Sequence, residues 1–395
     1  MNAGGLKQAI TLLRLGAALL ALTAVVSLVA SPDRRTSLPY VIQVLVGAGC
    51  VLAVAGRPVP GIRRRLTPGR LTTFYVAVGY VALAAILLST RWPIYKLSFL
   101  SGLYAGLPSI RSLPISLFAQ GLTPNQAGGL MATFTAFAIA IAISAAPAGS
   151  EVVRSRRPQR IAALILGVCG TGVVFMTGSR AALVAVGVAV VVTLAVRDRR
   201  WLLLPAVAAV GIAVVVLVHP DTPRAVLEVF LRDETIETKL VARLDIWQSV
   251  LRAIQDHPFT GIGLGVLNQI LPFRYPYETV GLSFTVTHAH DVYLDTALTL
   301  GIAGLVGLLL VLAGIVRTAV AIPDHASTAR TYALGMMASA VVFMVFGITD
   351  SLSLSTPSSL VLWAWVITLS LVAPYDSSLR SGCAELQPMV DSHLA

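Results

Sequence analysis

The residues able to do chemistry in this sequence are few, and they stand at the edges of long apolar runs. One group is Thr177-Gly178-Ser179-Arg180, a short turn between two such runs. Gly178 permits the turn, and Ser179 can cap the following helix by accepting from its free N–H groups. Arg180 then stands at a helix N-terminus, where a guanidinium beside free N–H donors suits a phosphate. The plainer reading is an arginine reaching to lipid headgroups. A second group runs from Arg243-Leu244-Asp245-Ile246-Trp247 through His257-Pro258 to Gly261-x-Gly263-x-Gly265. Leu240, Leu244, Trp247, Leu251 and Ile254 recur at three and four residues. That period predicts an amphipathic helix over 237–255, laid by this stripe on a membrane surface or a core and ended by Pro258. Arg243 and Trp247 lie one turn apart, so the indole can pack on the guanidinium stem; an ion pair of Arg243 with Asp245 or Asp256 is the plain alternative. The glycines suit a tight turn, and with no strand before them they do not make a dinucleotide site.

The third group, Thr287-His288-Ala289-His290-Asp291-Val292-Tyr293-Leu294, opens another apolar run. A neutral histidine oriented by a neighbouring carboxylate such as Asp291 can act as a general base. Capping histidines and a metal site are the alternatives, and a metal would want two further ligands that no second His/Cys/Glu cluster supplies. The fourth group is Thr123-Pro124-Asn125-Gln126-Ala127-Gly128-Gly129. Asn125 either caps the helix that starts there or turns its amide to the same cavity as the others.

The elements that must position these groups are membrane spans. The chain is 56% hydrophobic and 12% charged, where a soluble domain would carry about a quarter charged residues. In hydrocarbon every backbone polar group must be satisfied within its element, so the apolar runs are helices, and no period-two alternation suggests a barrel. The expected fold is all-α and polytopic, with about ten (ten to twelve) transmembrane helices. They are read at 10–30, 38–56, 72–90, 124–146, 161–178, 181–196, 201–218, 291–317, 331–349 and 357–373. The first, which follows Lys7 and contains Arg14, has the length of an uncleaved span rather than a signal peptide.

Net charge is +11, and most of the excess lies in short arginine clusters between spans. These are Arg57/Arg63/Arg64/Arg65/Arg70, Arg154/Arg156/Arg157/Arg160, Arg197/Arg199/Arg200 and the 317–330 connection. With both termini inside, all four clusters are cytoplasmic, so the charge reports topology and not nucleic acid. Segment 219–290, with six Lys/Arg against eight Asp/Glu, is then one large periplasmic loop. Residues 93–121 are interrupted by Pro93, Pro108, Pro114 and Arg111 and read as re-entrant or interfacial on the outer face. The organisation is a membrane domain over 1–374, including that loop, and a disordered cytoplasmic tail over 375–395. Cys50, Cys169 and Cys383 are too scattered for a disulfide framework or a metal site.

In their order and spacing, the four groups resemble a known superfamily, the O-antigen ligases and O-antigen polymerases. The residues that carry the likeness are Gly178-Ser179-Arg180, then Arg243…Trp247…His257-Pro258…Gly261-x-Gly263, then His288-Ala289-His290-Asp291-x-Tyr293-Leu294…Leu300-Gly301, with Pro124-Asn125-x-x-Gly128 before them. The likeness covers about 120–350. Asp291 departs from it, since an asparagine usually follows the histidine there. Matching that step favours His290 as the base, with His288 in support. The resemblance implies a glycosyltransferase of the inner membrane, working on its periplasmic side without metal or other cofactor. Its donor would be a glycan on undecaprenyl diphosphate and its acceptor a sugar hydroxyl of lipid A–core. Arg180 and Arg243 would neutralise the diphosphate; Asn125, Ser179, Trp247 and Asp291 would support. A polymerase joining lipid-linked repeat units would use the same constellation, and a lipid-linked glycan transporter is the reading from another class.

Overall fold

The computed structural model describes residues 3–56, 66–92, 97–107, 122–144, 157–203, 206, 234–278, 286–322, 327–350, 352, 354 and 359–372. Among these there is no strand, only helices: α1 (Ala3–Ala30), α2 (Arg34–Val54), α3 (Pro68–Ser89), α4 (Ser101–Gly106), α5 (Pro124–Ile143) and α6 (Arg157–Met176) come first. After them follow α7 (Arg180–Arg197), α8 (Glu234–Asp256), α9 (Leu267–Arg274), α10 (Val292–Ala321), α11 (Ser327–Phe346) and α12 (Ser359–Val372). Eight of them, α1, α2, α3, α5, α6, α7, α10 and α11, are long and apolar enough to cross a membrane. α12 coincides with the expected span at 357–373, while most of 201–218 and the tail over 375–395 lie outside the described residues.

The membrane core is a helical bundle in which α5 and α11 are most enclosed. α5 packs on α6, α7 and α11, and α1 runs along α10. Leu13 and Leu20 of α1, Leu308, Val311, Leu312 and Ile315 of α10, Met131, Phe137 and Ile141 of α5, and Ala333, Met336 and Met337 of α11 are buried in one continuous core. Their outward neighbours, Leu22, Val46, Phe74, Val81, Val168 and Val184, are exposed and apolar, as a face turned to lipid must be.

The residues that bound segment 93–121 lie together on one face. The Arg91 N–H donates to the Leu122 carbonyl (3.1 Å) and the Leu122 N–H to the Ser89 carbonyl (3.2 Å). A single crossing would hold those ends about 30 Å apart. Trp92 stacks on Tyr104 at 5.6 Å, and the Tyr104 hydroxyl donates to the Met176 carbonyl at the end of α6.

The opposite end of the bundle gathers the arginines. Arg160 donates to the Ser144 carbonyl (2.7 Å) and Arg197 to that of Ile143, so two guanidiniums satisfy the carbonyl end of α5. Arg330 does the same for Ala319 in α10, and Arg317 reaches Gln8 of α1 (2.9 Å).

α10 is two helices. Gly301 (φ 76°, ψ 175°) breaks it, leaving a span over 302–321 of about 30 Å and a short upper helix over 292–300. The break exposes backbone groups that the 258–263 turn satisfies. The Ile302 N–H donates to the Pro258 carbonyl (2.8 Å), while the N–H groups of Ile262 and Gly263 donate to the carbonyls of Leu298 (2.9 Å) and Thr299 (3.3 Å). Both partners need glycine. A Cβ on Gly261 (φ 63°) would sit 2.3 Å from the Thr299 carbonyl oxygen, and one on Gly301 2.7 Å from that of Phe259. The glycine run seen in the sequence is therefore the socket of a broken helix.

Candidate active site

Four helix ends converge on the face opposite the arginine clusters. Thr123 caps α5 by a capping box with Gln126, so Asn125 is not the cap and lies half-buried in the first turn. The side chain needed at a cap is the one before the proline, which already occupies the first helical position. One turn on, Gly128 lies against Thr177 and Ser179, and Gly129 against Phe346. That brings the start of α5, the α6–α7 turn and the end of α11 together. Ser179 accepts from the Ala182 N–H (3.4 Å) and caps α7 as expected, which leaves Arg180 exposed as the first residue of that helix.

The His288–Asp291 turn completes the corner. The Val292 N–H donates to the Gly347 carbonyl (2.8 Å), and the Tyr293 hydroxyl to the Met344 carbonyl (2.9 Å), tying the top of α10 to the end of α11. Three residues past Gly347 stands Asp350, which sequence reasoning missed. His288 Nε2 is 3.2 Å from Asp350 Oδ1, and His290 Nδ1 is 3.6 Å from the same oxygen. The two rings lie 4.3 Å apart between centroids. Asp350 is buried. A signal was present: a carboxylate directly after an apolar span is costly unless it is paired.

The two imidazoles differ in what is left free. His288 is buried and both its nitrogens are engaged, Nε2 by Asp350 and Nδ1 by the Thr287 hydroxyl at 3.0 Å. His290 turns Nδ1 to the carboxylate and has a quarter of its side chain exposed. At 3.6 Å that nitrogen makes no hydrogen bond; closing the gap to an acceptor-only carboxylate would place the proton on Nδ1 and leave the Nε2 lone pair available. Burial opposes charge on His288. The hydrogen bond and charge of Asp350, with Asp295 adding to them, outweigh it and raise that imidazole above its ordinary value, while Arg243 pulls the other way. Burial would push the Asp350 carboxyl up, yet the hydrogen bond with His288 and the closeness of both imidazoles hold it far below the carboxylate range.

Asp291, expected to orient a histidine, does something else. Its Oδ1 accepts from the N–H groups of Tyr293 and Leu294, each at 2.8 Å, and caps the upper helix. Burial raises its carboxyl, and those two N–H bonds offset part of the rise. Being next in sequence to His290 made it the obvious partner, but a cap position turns the side chain toward its own helix.

α8 supplies the wall. Its observed range, Glu234–Asp256, contains the expected helix and ends before Pro258. The buried face agrees with the expected stripe only in part: Trp247 and Ile254 of it, with Ile246, Val250 and Ala253, pack in one cluster with Ile262, Val266, Leu267, Ile270, Leu271, Ala297 and Leu298, while Leu244 and Leu251 are each 47% exposed. Two overlapping apolar stripes exist on this helix, and the partner surface built by α9 and upper α10 selected part of each. Trp247 donates its indole N–H to the Ala289 carbonyl (2.9 Å). Asp245 accepts from the Glu278 N–H (2.9 Å) and Asp256 from the Tyr275 hydroxyl (2.8 Å). Arg243 is half-buried and close enough to His288 to act on its charge.

The ligand atoms of His288, His290 and Asp350 lie within 4.8 Å of one another, close enough to hold a divalent ion. Zinc bonds of about 2.0–2.1 Å would have to open the His288–Asp350 hydrogen bond, and a fourth ligand would be needed. As it stands, His288 and Asp350 satisfy one another, while His290 Nδ1 faces the same carboxylate without a hydrogen bond. Such an arrangement has the chemistry to accept a proton from a hydroxyl at His290 and to answer an anion with nearby guanidinium groups.

Residues 162–309 match the family model described as O-antigen ligase, an interval that holds Arg180, Arg243, Trp247, His288, His290 and Asp291 but neither Asn125 nor Asp350. No curated protein matches the chain. That match, laid over a multi-helix membrane bundle, makes residues 162–309 similar to the O-antigen ligase family.

Proposed function

We propose that this protein is an O-antigen ligase that moves a glycan from undecaprenyl diphosphate to a sugar hydroxyl of lipid A–core. The coarser statement, a membrane enzyme transferring lipid-linked glycans, follows from the family match. The observation that carries the finer one is His290, with Nδ1 toward Asp350 and its other nitrogen free, at the corner where the Arg180 turn and the Arg243 helix meet the outer helix ends. The acceptor hydroxyl attacks the anomeric carbon as its proton passes to His290 Nε2. The bond from that carbon to the diphosphate oxygen breaks, and the electron pair leaves with the diphosphate. Arg180 and Arg243 neutralise the leaving group without a divalent ion. One displacement inverts the anomeric configuration. The site lies on the periplasmic side of the inner membrane, opposite the arginine clusters.

Purified protein in detergent, given lipid-linked glycan with both lipid A–core and a second lipid-linked repeat unit, tests the reading. Glycosylated lipid A–core with inverted linkage, formed equally after exhaustive chelation, is the expected result. An extended lipid-linked chain would make it a polymerase, and no covalent product a transporter. Activity lost on chelation and restored by zinc would turn the histidine–aspartate group into a metal site. Labelling of Gln255→Cys but not Thr67→Cys from outside intact cells checks the orientation.

A further inference from the structure

His290 is the one non-glycine among the described residues with a left-handed backbone, φ 54°. That conformation costs an L-residue about 1–2 kcal/mol and persists where its surroundings over-determine it. Here they do so from both sides. After His290, the Asp291 cap and the bond from the Val292 N–H to Gly347 hold the chain. Before it, the Ala289 peptide groups are gripped twice: the Ala289 N–H donates to Asp295 Oδ1 (2.9 Å), and the Ala289 carbonyl accepts from the Trp247 indole (2.9 Å).

Asp295 is 3% exposed and lies in the first turn of α10. An acid there interacts well with the helix N-terminus, which would be a sufficient account if it faced the helix. Instead Oδ1 reaches back out of the helix to a peptide six residues earlier, although Asp291 already caps that helix. Without the grip, His290 relaxes toward the right-handed region, its Cα–Cβ direction turns, and Nδ1 swings off Asp350.

We propose that Asp295 is a positioning residue for His290, acting with Trp247 through the Ala289 peptide. This rests on His290 being the general base. The test compares Asp295→Ala, Asp295→Asn and Trp247→Phe for donor affinity and single-turnover rate with a lipid-linked glycan. Asp295→Ala should slow turnover roughly 10- to 100-fold, the scale of a misplaced catalytic group, with donor affinity within about threefold. Asp295→Asn keeps an acceptor oxygen for Ala289 and should recover most of the rate; Trp247→Phe should lose turnover without affinity. Wild-type turnover in Asp295→Ala overturns the proposal. So does loss of donor affinity alongside rate with no recovery by asparagine, which would make Asp295 a charge or folding element. Should Asp295→Ala fail to accumulate, Trp247→Phe decides, and wild-type turnover in it overturns the proposal. Wild-type protein that forms no product would count against the ligase reading instead, since no variant comparison would then exist.

Discussion

Asp350→Asn keeps the side chain's shape and one acceptor oxygen while removing the charge that two imidazoles share. In the wild type, Oδ1 stands 3.2 Å from His288 Nε2 and 3.6 Å from His290 Nδ1, with only 4% of the aspartate side chain exposed. A hydrogen bond to a charged group contributes about 1.5–3 kcal/mol, so stability should fall by that amount. The pH window follows from the two shifts. His288 is raised, so its share is complete below its ordinary 6.5 and is lost as pH rises through its folded value. Asp350 is lowered, so its share is complete above its ordinary 3.8 and is lost as pH falls through its folded value. Wild type and variant should therefore differ most in thermal unfolding between about pH 4 and 6.5, and less at pH 8. Turnover should drop more than stability, by roughly 10²–10⁴ at single turnover, because the carboxylate also sets which nitrogen of His290 is free. Donor affinity should stay within about threefold. Turnover within threefold of wild type would refute the assignment of Asp350. A stability gap that widened above pH 7 would refute the charge assignment of the His288 pair.

Arg180→Ala and Arg243→Ala should weaken donor binding and slow the chemical step together, since the diphosphate is charged throughout; lysine should restore little because it lacks the forked donor set. Equilibrium binding and single-turnover assays read both. His290→Ala should cut turnover by roughly 10²–10⁴ at near-normal donor affinity, the range for losing a general base. His288→Gln, with its nitrogens engaged inside the protein, should cost less rate and more stability; the reverse order would make His288 the base. Gly301→Ala should lower the unfolding temperature sharply, because its φ of 76° and the 2.7 Å approach of the Phe259 carbonyl both exclude a Cβ. An unchanged melting curve would mean the broken helix is not rigid.

Much of this molecule was legible because helices are local. An apolar run of about 20 residues can span the hydrocarbon whatever surrounds it, and the runs at 10–30, 38–56, 72–90, 124–146, 161–178, 181–196 and 331–349 coincide with helices long and apolar enough to cross, as does the 291–317 run below its break at Gly301. The cap that Ser179 makes and the stop that Pro258 sets concern adjacent residues, and both follow as their types require. What the sequence could not settle depends on which surfaces meet. Asp350 joins a histidine 62 residues away, and nothing near either one encodes the approach of α10 to α11. The buried face of α8 was chosen by α9 and upper α10, not by its own period alone. Gly301 looked like one residue in an unbroken span until the turn after Pro258 supplied partners for the backbone groups it frees. Local order follows from adjacent residues and the solvent around them. The catalytic corner arises where distant helix ends must satisfy one another's buried polar groups, and only the packed chain defines those pairings.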